Sequence, residues 1–172
     1  MTPAPIPDYD DERLKSLHKL LILDTPPEER FDRIVAFAAN EFDVPIALIS
    51  LVDRDRQWFK ARIGLDACET ARDVSFCGHA VHSGDLFVVQ DASRDRRFAD
   101  NPLVTGAPHI RFYAGAPLQM PDGTILGTLC LIDTAPRQLD PVDVAILSTL
   151  RDLVMLEISG APSHDNSRAE QV

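Results

Sequence analysis

Two long apolar segments, residues 110–118 and 124–132, are joined by Met120-Pro121-Asp122-Gly123, and no other feature limits the fold of this chain so strongly. Pro, Asp and Gly in succession favour a tight reversal, so the two segments are predicted to pair as antiparallel strands. A second reversal lies upstream. Residues 46–52 (Ile-Ala-Leu-Ile-Ser-Leu-Val) are too few and too uniformly apolar for a surface helix and fit a strand covered on both faces. Asp53-Arg54-Asp55-Arg56 then turns the chain into a half-exposed strand over 57–63, where Trp58 alternates with Lys60 and Arg62 while Phe59 and Ala61 face the other way. Such a sheet needs other elements to cover it.

Helical patterns supply them. A first helix is predicted over 11–22, with Leu14, Leu17 and Leu21 along one face. Thr25-Pro26-Pro27-Glu28 reads as the start of a second, with Thr25 as N-cap, Pro26 at the first position and Glu28 closing a capping box. Phe31, Ile34, Val35, Ala38 and Phe42 form its stripe, and Asp43-Val44-Pro45 stops it. Residues 64–74 read as a polar loop, and Ser75 caps a short helix carrying Phe76, Ala80 and Val81 that ends at Gly84. After a short strand at 86–89, residues 91–108 form a long irregular stretch containing Phe98 and Leu103, the kind of loop that covers a site.

The last helix starts at Asp140-Pro141, runs to Ile158 and carries two apolar stripes. Ile146, Leu150 and Leu153 make one; Val144, Leu147, Val154 and Ile158 make the other, interrupted by Arg151. One stripe suffices to pack a terminal helix, so the second points to a homodimer through the first and last helices. The alternative is that both stripes are buried within one domain.

With 172 residues, 45% hydrophobic and 26% charged, the chain has room for one core, and it is read as one domain over 11–159 between a flexible N-terminus (1–10) and a flexible tail (160–172). A net charge of −10 repels phosphate backbones and anionic lipid, which argues against nucleic acid and membrane as partners. No apolar run approaches the roughly 20 residues of a membrane span, and the opening lacks the pattern of a signal peptide, so a cytoplasmic location is expected. The three cysteines, Cys68, Cys77 and Cys130, are expected as free thiols.

The resulting α+β order places an antiparallel sheet between the first, second and last helices on one face and a short helix with a long loop on the other. Both this order and the wording resemble the GAF domain family, of the type found at the front of bacterial sensor kinases and diguanylate cyclases. The resemblance rests on Ile22-Leu23-Asp24-Thr25-Pro26-Pro27-Glu28-Glu29, Ile49-Ser50-Leu51-Val52-Asp53, Ser75-Phe76-Cys77-Gly78-His79-Ala80, the stretch from Asp95 to Gly106, Arg111-Phe112-Tyr113-Ala114-Gly115-Ala116-Pro117-Leu118, and Leu126-Gly127-Thr128-Leu129-Cys130-Leu131-Ile132-Asp133. It implies a sensory module that binds a small molecule, of unknown identity, and signals by contact with another protein. No output segment follows the last helix, so a stand-alone module without enzymatic activity is expected.

The ligand-binding candidates are Trp58, Cys77, His79, Phe98, Arg111 and Tyr113. Arg111 and Tyr113 alternate with apolar neighbours and share a strand face, where they could clamp an anionic or planar ligand. Cys77 lies in the first turn of a helix, where the dipole favours a thiolate; this opens the alternative of a thiol-dependent redox sensor or small-molecule reductase. Cys130, inside an apolar strand, reads as a small core residue. A third reading is a ligand-free dimerisation scaffold. A metal site is not supported: Cys77 and His79 at i and i+2 point apart on a helix, and His79 with His82 supplies only two ligands. Phe76-Cys77-Gly78-His79 also lacks the Cys-His dipeptide to which the family's bilin photoreceptors attach their chromophore. Asp95, Arg96, Arg97 and Asp100 are read as ion pairs that fix the loop.

Overall fold

The computed structural model describes residues 1–160; most of the tail predicted from residue 160 onward lies outside the described residues. The central sheet comprises β1 (Ile46–Val52), β2 (Arg56–Ile63), β3 (Glu69–Ala71), β4 (Phe87–Val89), β5 (Phe112–Gln119) and β6 (Ile125–Asp133). They lie in the order β3-β2-β1-β6-β5-β4, with every pair antiparallel. The two hairpins therefore meet edge to edge through β1 and β6. Gly127 makes this seam possible: a Cβ there would lie 1.8 Å from the carbonyl oxygen of Ser50.

Alternation along β1 separates the two sides of the sheet. Ala47, Ile49 and Leu51 join Phe31, Ile34, Val35 and Ala38 of α2 (Glu29–Glu41) and Leu147, Leu150 and Val154 of α5 (Pro141–Ile158) in one core. Leu17 of α1 (Asp10–Lys19) belongs to the same layer. Ile46, Leu48 and Val52 face the other core, which holds Phe76, Cys77 and Val81 of α3 (Phe76–Ser83) together with Phe98 and Val104 of the long loop. This is the α+β arrangement expected.

Several local expectations are corrected. The first helix stops at Lys19, and Leu21, expected on its apolar face, takes a left-handed conformation (φ 52°) and is 83% exposed. Thr25 is not the cap of α2: that helix begins at Glu29, and the Thr25 hydroxyl donates to the Ile22 carbonyl while accepting from Lys60 Nζ at 2.8 Å. The register between β1 and β2 shifts at Ile49/Ser50, which places Ala61 in the helical core on the same side as Trp58. Residues 64–74 contain β3. The loop from Asp91 is shaped by a 3-10 turn at Ala92–Arg94 and by a single-turn α4 (Pro102–Thr105) that the Asn101 side chain caps. At α5, by contrast, the cap appears where predicted, as a full capping box between Asp140 and Asp143.

The first nine residues form no helix or strand, yet they are not loose. Thr2 N donates to the Arg97 carbonyl at 3.0 Å and Ala4 N to the Asp73 carbonyl at 2.9 Å, so this segment straps the cap side. Among the described residues no helix is long and apolar enough to cross a membrane.

Candidate functional site

The side of the sheet that faces α3 and the long loop carries a narrow cavity of about 40 Å³. Leu48, Phe59 and Tyr113 contribute from the strands, Phe76 and Cys77 from α3, and Leu103, Pro108 and Ile110 from the loop. Few polar groups reach it. Gln57 is one, held by accepting from Ser50 Oγ at 3.3 Å and donating to Thr70 Oγ1 at 2.6 Å. Among the described residues no Lys or Arg lines this cavity.

Beside the cavity lies a buried polar cluster. The N-cap of α3 explains its placement: Ser75 accepts from Gly78 N and fixes the first turn, so that Cys77 points down onto β6. Cys77 Sγ accepts from the Tyr113 hydroxyl at 3.2 Å and from Thr128 Oγ1 at 3.2 Å, and it lies 3.9 Å from Cys130 Sγ. Tyr113 reaches across because Gly115, two residues on along the same strand, has no side chain; a Cβ there would stand 2.2 Å from the Tyr113 oxygen. Burial alone would oppose ionisation of Cys77, but hydrogen bonds from Cys130, Thr128 and Tyr113 outweigh it and bring its pKa down to about 7. Cys130 is pushed the other way by its own burial and by the adjacent Cys77 sulfur.

An aromatic stack extends from this cluster. Phe76 stacks on Phe98 with ring centroids 4.1 Å apart and leans on Tyr113 at 5.2 Å. His79 packs edge-on against Phe98 at 4.8 Å, and its Nε2 lies 3.2 Å from the Thr2 carbonyl, an oxygen that can only accept. His79 is thus a donor to backbone, and burial lowers its pKa. Arg97 pairs with Asp95 at 2.6 Å and lies over both Phe87 and Phe98, the loop-fixing pair expected of these two residues, whereas Asp100 pairs with the N-terminal amine of Met1.

The six candidates therefore separate. Cys77 and Tyr113 line the cavity, while Phe98 and His79 stand behind Phe76 in the stack. Arg111 precedes β5 and donates to the Val104 and Ile110 carbonyls, so it ties down α4 and is not part of the cavity lining. Trp58 is excluded, since it lies in the helical core on the opposite face of the sheet. Sequence reasoning missed Gln57, Phe59 and the even-numbered residues of β1; alternation along those strands, referred to the face of Tyr113, was the signal that could have found them. It also missed the contact between Cys77 and Cys130. Among the described residues no three His, Cys, Asp or Glu side chains gather to hold a metal ion.

A family model described as GAF domain matches residues 26–158. A cyclic di-GMP phosphodiesterase of Pseudomonas aeruginosa is 46% identical over 159 residues, covering 92% of this chain but only 27% of that protein. Among solved structures, the GAF domain from an Acinetobacter phosphoenolpyruvate-protein phosphotransferase superposes with a TM-score of 0.63 at 19% identity, over 87% of this chain and 94% of that one. A free methionine-R-sulfoxide reductase from Neisseria meningitidis, solved with its substrate, gives 0.62 at 19% identity, over 87% of both chains. At such identities the two structures establish the fold alone.

Proposed function

The chain belongs to the GAF domain family, and from that premise we propose that it is a sensory and regulatory module that binds a small molecule between its sheet and its cap. The cavity beneath Leu103 and Pro108, with Tyr113 and Cys77 beside it, is the observation that carries this reading. Ligand pockets usually measure about 300–1,000 Å³, so a ligand larger than a few atoms enters only as the loop lifts from the sheet. The lining selects for a neutral, largely apolar molecule with one or two hydrogen-bonding groups, because among the described residues no cation faces the cavity to meet a phosphate. For the same reason the segment corresponds better to a regulatory part of the Pseudomonas relative than to its phosphodiesterase part. The reading also implies binding without turnover: among the described residues the polar neighbours of Cys77 are hydroxyls and a thiol, with no histidine base. The test is methyl NMR during addition of candidate metabolites. Leu48, Leu65, Leu103 and Ile110 should shift, and Leu147 and Leu150 on the far side should not.

The signal would leave through protein contacts. Val142, Ile146, Thr149, Leu153 and Leu156 follow a 4-3-4-3 spacing along α5, distinct from the buried Leu147, Leu150 and Val154. Val142, Leu153 and Leu156 are exposed, and Val142 and Leu153 flank an apolar groove with Phe37 and Ile34 of α2. We therefore assign the homodimer contact to α5 and α2. This revises the sequence reading, in which α1 was the second partner: α1 contributes Leu17 to the core, and Asp10 at its start is held by Arg72. A ligand-free dimerisation scaffold is the second reading, favoured by the small volume of the cavity.

A further inference from the structure

We propose that Cys77 and Cys130 form a thiol pair that a small peroxide converts to a disulfide, which makes the centre of the cap side a redox switch. The pairing is independent of the ligand-binding reading above. Three features of the geometry carry it. The two sulfurs are 3.9 Å apart, on different elements, α3 and β6, and 53 residues apart in sequence. Cys77 is at the second position of a capped eight-residue helix, where the dipole stabilises negative charge on sulfur. Its sulfur also receives the hydroxyls of Tyr113 and Thr128, both fully buried, so a thiolate there is solvated by the protein itself. The lowered pKa of Cys77 beside a raised one for Cys130 follows from this arrangement and separates an attacking sulfur from a resolving one.

Both residues are almost wholly buried, which shuts out bulky thiols and large peroxides. Cys77, however, lines the cavity of about 40 Å³, a space matched to an oxidant of two heavy atoms. Hydrogen peroxide is the oxidant of this size. The Cys77 thiolate attacks one peroxide oxygen, an S–O bond forms as the O–O bond breaks, and the departing hydroxide takes a proton to leave as water. The Cys130 thiol then attacks the sulfenic sulfur. An S–S bond forms, the S–O bond breaks, and the hydroxide released combines with the Cys130 proton as a second water. Two thiols are oxidised by two electrons, and one peroxide is reduced to two waters. A disulfide requires the sulfurs to close to about 2.05 Å, an approach of roughly 2 Å that is shared between rotation of the two side chains and movement of α3 toward β6. The strap that rests on α3 through the Thr2 carbonyl and His79 moves with it.

The experiment uses the reduced full chain and hydrogen peroxide, followed by denaturation, alkylation and mass spectrometry. Of the three free thiols, two should be lost and the protein should be two hydrogens lighter, with a tryptic peptide linking Cys77 to Cys130 and Cys68 still alkylated. Cys130→Ser should instead accumulate a sulfenic acid on Cys77 that dimedone traps, and Cys77→Ser should leave Cys130 reduced. If peroxide oxidises exposed Cys68 while Cys77 and Cys130 of the folded wild-type protein stay alkylatable, or if the crosslink joins Cys68, the proposal is overturned. The wild-type measurement decides even where a variant fails to fold.

Discussion

Asp10 and Arg72 meet through two hydrogen bonds, of 2.8 and 2.9 Å, although 62 residues separate them in sequence. The same carboxylate accepts from Arg13 Nε at 2.7 Å, and both arginines are buried. One carboxylate thus bridges two guanidinium groups and offsets one of their two positive charges, where the start of α1 meets the loop that carries Arg72. Removing it leaves buried positive charge without a partner, a loss of about 3–5 kcal/mol. Urea unfolding of Asp10→Ala should show a decrease of that size, and a change below about 1 kcal/mol would mean that the cluster contributes little.

The same residue governs acid stability. Burial would raise the Asp10 pKa, but hydrogen bonds from Arg72 and Arg13 outweigh it and hold the pKa below 3.8. A depressed folded pKa gives stabilisation that is fully present above the unfolded value and fades as pH falls through the folded one. Asp10→Asn should therefore be less stable than wild type at neutral pH, with the gap narrowing as pH falls below about 4. Parallel stability curves down to pH 2 would refute this.

Gly127 tests the seam between the hairpins. Because a Cβ at this position would overlap the Ser50 carbonyl, Gly127→Ala should separate β1 from β6 and cost more than about 4 kcal/mol, or abolish folding. Circular dichroism with thermal unfolding measures it. A melting temperature within a few degrees of wild type would show that the strands can part without penalty.

For the homodimer, Phe37→Glu combined with Leu153→Glu should give a monomer by light scattering while the fold is retained, since both side chains are exposed in the single chain. Leu147→Glu and Val154→Glu are unsuitable probes of this contact because both residues are buried in the domain's own core. A wild-type monomer at high micromolar concentration would dispose of the interface.

Turnover provides a separate check. Despite the shared fold with a methionine sulfoxide reductase, this chain should show no steady-state reduction of free methionine sulfoxide with a thiol reductant. A Cys77-dependent rate near about 1 per second or above would place it among the enzymes.

The sheet and its two covers were legible because alternation and turn chemistry act locally: Met120-Pro121-Asp122-Gly123, the Ser75 cap and the Asp140 cap all function as their residue types require. The site was only half legible. Tyr113 was placed on the correct face by its position in β5, but Trp58 was misassigned because nothing in the sequence of β2 shows which face joins which cover. Arg111 looked like a ligand clamp because its real partners are backbone carbonyls, which carry no sequence signature. The Cys77 to Cys130 contact escaped for a related reason. It depends on the angle at which α3 lies on β6, and that angle is fixed by packing between distant segments.

Native mass spectrometry bears most directly on the central claim of a ligand site under the cap. The protein is incubated with a small-molecule extract of bacterial cells and compared with Leu103→Trp, in which a larger side chain fills the cavity that Leu103 lines. The account predicts one saturable adduct per wild-type chain and its loss in the folded variant. An adduct that persists in Leu103→Trp, or none on wild type, would contradict it.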